Sequence, residues 1–125
     1  MKADSTTTLE IGLRGEDRAA QYLSDQQLSL VARNFRCKRG EIDLIMKRPL
    51  GSAGRFELVF IEVRLRSRSE FGGAALSVSA TKQRRIRIAA EFYLLKHFGV
   101  GSWPACRFDV IAFEASGVNW IQGAF

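Results

Sequence analysis

Two carboxylates sit where strand-forming sequence ordinarily has no place for them. Asp43 lies in Gly40-Glu41-Ile42-Asp43-Leu44-Ile45 and Glu62 in Phe60-Ile61-Glu62-Val63-Arg64, both otherwise dominated by β-branched and aliphatic residues. Asp and Glu form strands poorly and are costly to bury unpaired, so each position needs a physical reason. If the two strands pair as a hairpin, Asp43 and Glu62 can share one face, where their oxygens suit a hard divalent cation. Arg64, two residues on, falls on the same face as Glu62 and could offset charge on a phosphate held by that metal. The competing reading is a hairpin with one wet face, on which alternating charges carry no chemistry.

A second group of residues points to an anion. Lys82, Arg84, Arg85 and Arg87 fall within the first two turns of a helical segment, although a helix N-terminus already carries about half a positive charge. A phosphate seated there, held by free N–H groups and basic side chains together, resolves the conflict. A solvated basic face screened by salt is the alternative. The net charge of +6 is unevenly spread: Arg33 to Arg87 holds 14 Lys and Arg against 5 Asp and Glu, and the remainder 5 against 8. Clustered excess of this kind is the footprint of a polyanion partner.

The elements that must position these groups can be read from periodicity. Leu9, Leu13, Ala19, Ala20 and Leu23 predict an amphipathic helix from Leu9 to about Gln27, with Arg14, Glu16, Asp17 and Arg18 mainly on its wetter side. Strands are predicted over Leu28 to Phe35, Glu41 to Lys47 and Phe56 to Leu65, with a loop of Pro49, Gly51, Ser52, Ala53 and Gly54 between the last two. In the second strand Ile42, Leu44 and Met46 would face away from Glu41, Asp43 and Ile45. In the third, Val59, Ile61, Val63 and Leu65 would oppose Leu58, Phe60, Glu62 and Arg64. After a Gly72-Gly73 turn, a helix over Thr81 to Phe98 is capped by Ser79 or Thr81 and ended by Gly99 and Gly101. Cys106 to Phe113 is a strand, followed by a short strand or turn to Trp120. The order α-β-β-β-α-β predicts an α/β domain, a mixed sheet flanked by helices.

Other chemistries are excluded early. A chain of 125 residues, 46% hydrophobic and 26% charged, is one domain with a core of its own, here expected over 9–125 after a polar tail at 1–8. No run of about 18 apolar residues exists to span a membrane, and Met1 to Thr8 has no apolar secretory core, so the expected compartment is the cytoplasm. Cys37 and Cys106 stand 69 positions apart without metal-ligand spacing, which disfavours zinc and reads as packing. His97 is the only histidine, near a helix end and without a nucleophile motif. Carboxylates, lysines and arginines must carry any catalysis.

The stretches GEIDLIM (Gly40–Met46), FIEVRLRS (Phe60–Ser67), FGGAALSVSATKQRRI (Phe71–Ile86) and RFDVIAF (Arg107–Phe113), continuing through Asn119-Trp120-Ile121, resemble the YraN family of small bacterial proteins. That family is similar in pattern to the restriction-endonuclease-like superfamily, and within it to archaeal Holliday-junction resolvases. The resemblance implies a single-domain restriction-endonuclease-like fold and a D…(D/E)-x-K metal-dependent nuclease site. It makes Asp43 and Glu62 ligands of Mg²⁺ or Mn²⁺, Glu16 the additional helical carboxylate, and Arg64 the occupant of the lysine position. An arginine there can stabilise phosphate charge but, with a pKa above about 12, cannot be a general base. Arg36, Lys38, Arg39, Arg66, Lys82, Arg84, Arg85 and Arg87 would hold a nucleic-acid backbone, DNA by the same resemblance. Analogy with the resolvases also implies a homodimer, since a four-way junction presents two scissile sites. A nucleic-acid-binding module that keeps the fold without cleaving is the alternative.

Overall fold

The computed structural model describes residues 8–66, 73 and 78–125. Helix α1 spans Thr8–Asp25, followed by strands β1 (Ser29–Cys37), β2 (Gly40–Pro49) and β3 (Phe56–Leu65), helix α2 (Ala80–Phe98) and strands β4 (Ala105–Glu114) and β5 (Gly117–Ile121). The expected tail falls outside the described residues except for Thr8, which opens α1. Most of the Gly72-Gly73 segment falls outside them as well. Ser79 is the N-cap of α2, its hydroxyl accepting from the Lys82 N–H at 3.1 Å.

All five strands form one sheet in the order β1-β2-β3-β4-β5. Three neighbouring pairs are antiparallel; β3 and β4 run parallel, joined by the crossover that contains α2. The arrangement is a single mixed α/β domain, in agreement with the restriction-endonuclease-like order expected, with β5 as an added edge strand.

Each helix covers one face. Ala19, Ala20 and Leu23 of α1 pack with Leu44, Met46, Val59, Ile61, Ile111 and Phe113. Ile86, Ala89, Ala90, Tyr93 and Leu94 of α2 pack with Ile42, Ile45, Leu58, Phe60, Val110 and Ala112. With apolar layers on both sides, β2 and β3 are central strands, and neither has the wet face of an isolated hairpin. Burying such residues contributes about 25 cal/mol per Å² of apolar surface, which is why a continuous apolar run wins over alternation here.

The expected faces of β2 need one correction. Ile42 and Ile45, three residues apart, both point toward α2, whereas Leu44 and Met46 point toward α1. Strict alternation cannot do this, so the strand turns about its axis between Ile42 and Leu44. Asp43 occupies that break.

Candidate active site and adjoining basic groove

The break at Asp43 is shared by its neighbours. On β1, Asn34 falls between the pairs Arg33–Leu44 and Phe35–Ile42 and takes a left-handed backbone, φ 49°. Asparagine is one of the few side chains that tolerates this region. On the other side the β2–β3 register runs from Pro49–Phe56 to Leu44–Ile61 and goes no further, though both strands continue. Beyond that point the Val63 N–H donates to Asp43 Oδ2 at 2.8 Å. A side-chain carboxylate replaces a main-chain acceptor, and the ladder opens where Asp43 and Glu62 meet.

The two carboxyl groups lie close enough that each shifts the titration of the other, and both are raised. Burial is the main reason: Glu62 is 3% exposed, and desolvation with the neighbouring Asp43 charge pushes it up to about 7, against the pull of Lys82. Asp43 is also raised, chiefly by burial, while the Val63 N–H, the Glu62 side chain and the Lys82 charge draw it down. Glu16, at 9% exposure, is held by a 2.9 Å hydrogen bond from Asn34 Nδ2 and raised first by burial, then by the Asp43 charge. The structure therefore overturns the wetter-side placement of Glu16: α1 turns it inward to the acid group, while Asp17 and Arg18 stay exposed.

Cations approach the pair from two directions. Arg64 Nη1 lies 3.6 Å from Glu62 Oε2, on the expected face. Lys82 Nζ lies closer, at 3.1 Å from the same oxygen. Sequence reasoning placed Lys82 with the backbone-holding cations and missed this approach to Glu62; a long crossover separates the two positions in the chain. Asn34 was also missed, and its only sequence signal is an asparagine inside an apolar strand.

Lys82 also lines a groove of about 870 Å³ between the Lys38-Arg39 turn and the first half of α2. Arg36, Lys38, Arg39, Arg84 and Arg85 line it too, so two chain segments expected to bind backbone converge. Gly40 makes this approach possible. A Cβ there would lie 2.2 Å from the Arg85 carbonyl oxygen, a distance no side chain permits. Two expected cations lie elsewhere. Arg66 is buried, 6% exposed, with Nη1 2.9 Å from Glu114 Oε2, because the end of β3 turns it toward β4 rather than the groove. Arg87 sits over the rings of Phe108 and Phe125, at 5.0 and 5.5 Å, and does not line the groove.

No three His, Cys, Asp or Glu side chains gather as a metal-holding group among the described residues. That donor set does not fit zinc, which takes three or four protein ligands rich in nitrogen and sulfur. It fits Mg²⁺ or Mn²⁺, hard ions that bind through one or two carboxylates and complete their shells with water and substrate phosphate. The observation behind that fit is a buried carboxyl, Glu62, beside a half-buried one, Asp43, both raised chiefly by burial, an oxygen pair that a divalent cation would stabilise.

The fold and site together define a mixed α/β domain with a largely buried acid pair joined through Lys82 to a basic groove. The chain belongs to the uncharacterised protein family UPF0102, the YraN family it resembles, whose pattern matches residues 15–113. Similar proteins include a UPF0102 protein of Ralstonia pickettii, 48% identical over 128 residues that cover 100% of this chain and 97% of the relative. Another, from Ralstonia nicotianae, is 50% identical over 117 residues, 91% of this chain and 85% of that one. A Janthinobacterium relative is 50% identical over 113 residues, 90% and 85% of the two chains.

Proposed function

We propose that this protein is a cytoplasmic, metal-dependent nuclease that hydrolyses phosphodiester bonds in DNA, with branched or distorted DNA as its substrate form. The observation that carries this reading is the pairing of buried Glu62 with half-buried Asp43, which accepts the Val63 N–H at 2.8 Å, with Lys82 Nζ 3.1 Å from Glu62 and lining the basic groove. Asp43 and Glu62 would hold Mg²⁺ or Mn²⁺. When bound, such an ion supplies a water of lowered pKa and positive charge against the scissile phosphate.

The chain's own residues do the rest. Asp43, fixed by the Val63 N–H, is the rigid oxygen donor. Glu62 gives up its proton near neutral pH to become the second. Arg64 and Lys82, drawn to Glu62 at rest, are placed to neutralise charge that builds on the nonbridging oxygens. Asn34 holds Glu16, near enough to feel the Asp43 charge, as a carboxyl outside the pair. Nothing in the sequence resembles a base-reading motif, so shape and not sequence selects the substrate. A homodimer would match the two scissile strands of a four-way junction, and light scattering in solution tests it.

Single-turnover assays on linear, flapped and four-way DNA, with and without Mg²⁺ or Mn²⁺, test the proposal. Cutting that requires the ion supports it; no cutting of any substrate with either ion sinks it. One observation favours the alternative of a non-cleaving DNA-binding module: Lys82 and Arg64 already offset the Glu62 charge that an ion would otherwise neutralise. Such a module binds these substrates and leaves them whole.

A further inference from the structure

Helix α2 is apolar on two opposite sides. Ile86, Ala89, Ala90, Tyr93 and Leu94 face the sheet and are buried. Ile88, Phe92 and Leu95, at steps of four and three, run along the side turned away from it, and all three are exposed, Phe92 by 53%. A helix that is apolar all round belongs in an interior, and the sheet supplies one for a single side only. The line continues past the helix end to Val100, 94% exposed, with Phe98 and Trp103 at the same end. Two of these rings are held in place. Trp103 Nε1 donates to the Gly99 carbonyl at 2.7 Å, and the Phe92 ring lies 6.4 Å from that of Phe35 on β1.

The size and the borders of this stripe define what fits it. Its six side chains leave on the order of 500 Å² of apolar surface in water, in the upper range for a monomer and close to the apolar share of one side of a standard interface, about 800 Å² in all. At 3.6 residues per turn, Arg84 and Glu91 border the seam on one flank and Arg85 and Lys96 on the other, all four exposed. Three cations to one acid suit a partner with the opposite balance. They do not suit a second copy. A two-fold pair meets antiparallel and sets each flank against itself, which brings Arg85 of one copy within about a turn of Lys96 of the other. Like charges at that range destabilise a helix pair. A straight seam about two turns long, edged by charge on both flanks, is the shape that a second helix fits.

We propose that the outer face of α2, from Ile88 to Trp103, is a docking surface for an acidic amphipathic helix of another protein. Its apolar side would lie on Phe92 and Leu95 and its carboxylates beside Arg84, Arg85 and Lys96. The face is on the far side of α2 from the sheet, and the proposal does not depend on the nuclease reading.

The test uses the full chain and two synthetic three-heptad peptides with the same Ile and Leu seam, one with Glu at every flanking position and the other with Lys. Each is labelled and followed by fluorescence anisotropy at low salt. The Glu peptide should bind saturably below about 50 µM, a range open to a small interface, and the Lys peptide at least about tenfold more weakly. Phe92→Ser/Leu95→Ser should weaken the Glu peptide about tenfold or more, by removing apolar surface without adding charge. Val118→Ser, an exposed site on β5 at the far edge of the sheet, should leave its affinity within about twofold. Both side chains of the double variant are about half exposed, and circular dichroism melts confirm that it folds; Leu95→Ser alone gives a second, milder reading. A Glu peptide that fails to bind overturns the proposal, as does a Lys peptide that binds equally well or an affinity that the double variant leaves unchanged. Sedimentation of the chain without peptide addresses the other occupant. The double variant should leave its mass unchanged, whereas a dimer that the double variant splits gives the face to a second copy and overturns the proposal.

Discussion

Adjacent central strands of this domain each bury an acid, and the two are treated in opposite ways. Asp109 on β4 is fully buried and saturated. Arg107 donates to it twice, Nε to Oδ1 at 2.8 Å and Nη2 to Oδ2 at 2.9 Å, Trp120 Nε1 donates at 2.9 Å, and the Gly123 N–H at 3.0 Å. These bonds tie β5 and the C-terminal residues to the sheet. Glu62 on β3, nearly as buried, is pushed up to about 7 by burial and the neighbouring Asp43 and leans on a lysine and an arginine that both reach toward solvent. A saturated acid has no valence left for a ligand. An acid pair short of positive charge has one, and perturbation of this kind gathers where chemistry is done.

Substitutions should separate the two acids by what they damage. The largest effect is expected at Asp43: Asp43→Ala should lower single-turnover cleavage on the order of 1000-fold or more while the chain stays folded, since it removes an ion-holding oxygen. Asp109→Ala should do the reverse. It strands Arg107 beside Glu57 and frees the C-terminal residues, costing about 3–5 kcal/mol in a denaturation curve. Its remaining folded fraction should still bind and cut. If Asp109→Ala instead kills cleavage with stability intact, the contrast is wrong.

Smaller effects sharpen the same contrast. Arg64→Ala should lose on the order of 100-fold in cleavage, and Arg64→Lys should retain much of it, because both side chains place a cation at similar reach. Equal cutting by wild type and Arg64→Ala would leave charge stabilisation to Lys82. Gly40→Ala should cost roughly 1–3 kcal/mol by forcing the Lys38-Arg39 turn off α2, and weaken duplex binding with it. A variant as stable as wild type contradicts that close approach.

The smallest effect is a pH dependence with a definite sign. Glu62 titrates near its ordinary 4.5 when unfolded and near 7 in the fold. Between those values the folded chain binds more protons than the unfolded one. The contribution is therefore present in full below about pH 4.5 and lost as pH rises through about 7. Glu62→Gln has no such proton to lose. Its melting temperature should gain on wild type as pH rises across that window, and a difference that stays flat argues against the buried pair.

How much of this was legible in the sequence depends on distance along the chain. The strand and helix order follows from local periodicity, and β3 spans Phe56–Leu65 in the structure as its alternation predicts. Asp43 and Glu62 stood out because acids inside apolar strands are locally anomalous. What stayed hidden was tertiary. Lys82 meets Glu62 because the crossover returns α2 over β2 and β1 beside it, and Arg66 is drawn out of the basic group to Glu114, 48 residues on along the chain. The β2 faces were misread because alternation assumes a regular pleat, whereas the β2–β3 ladder ends at Leu44–Ile61, just before Asp43, and Asn34 opposite it on β1 takes a left-handed backbone. Asp109 lies within a recognisable stretch, yet its saturation depends on Trp120 and Gly123 from the following strand and turn.

The central claim is that the Asp43–Glu62 pair is short of positive charge and takes a divalent cation in place of its proton. Calorimetric titration of Mn²⁺ into wild type, Asp43→Asn and Glu62→Gln near pH 6, below the value of about 7 to which Glu62 is raised and with duplex DNA present to complete the ion's shell, tests it directly. Saturable uptake in wild type that releases protons, and is lost in both variants while their melts stay cooperative, is the predicted result. Uptake absent from wild type, or unchanged in the two variants, would contradict the account.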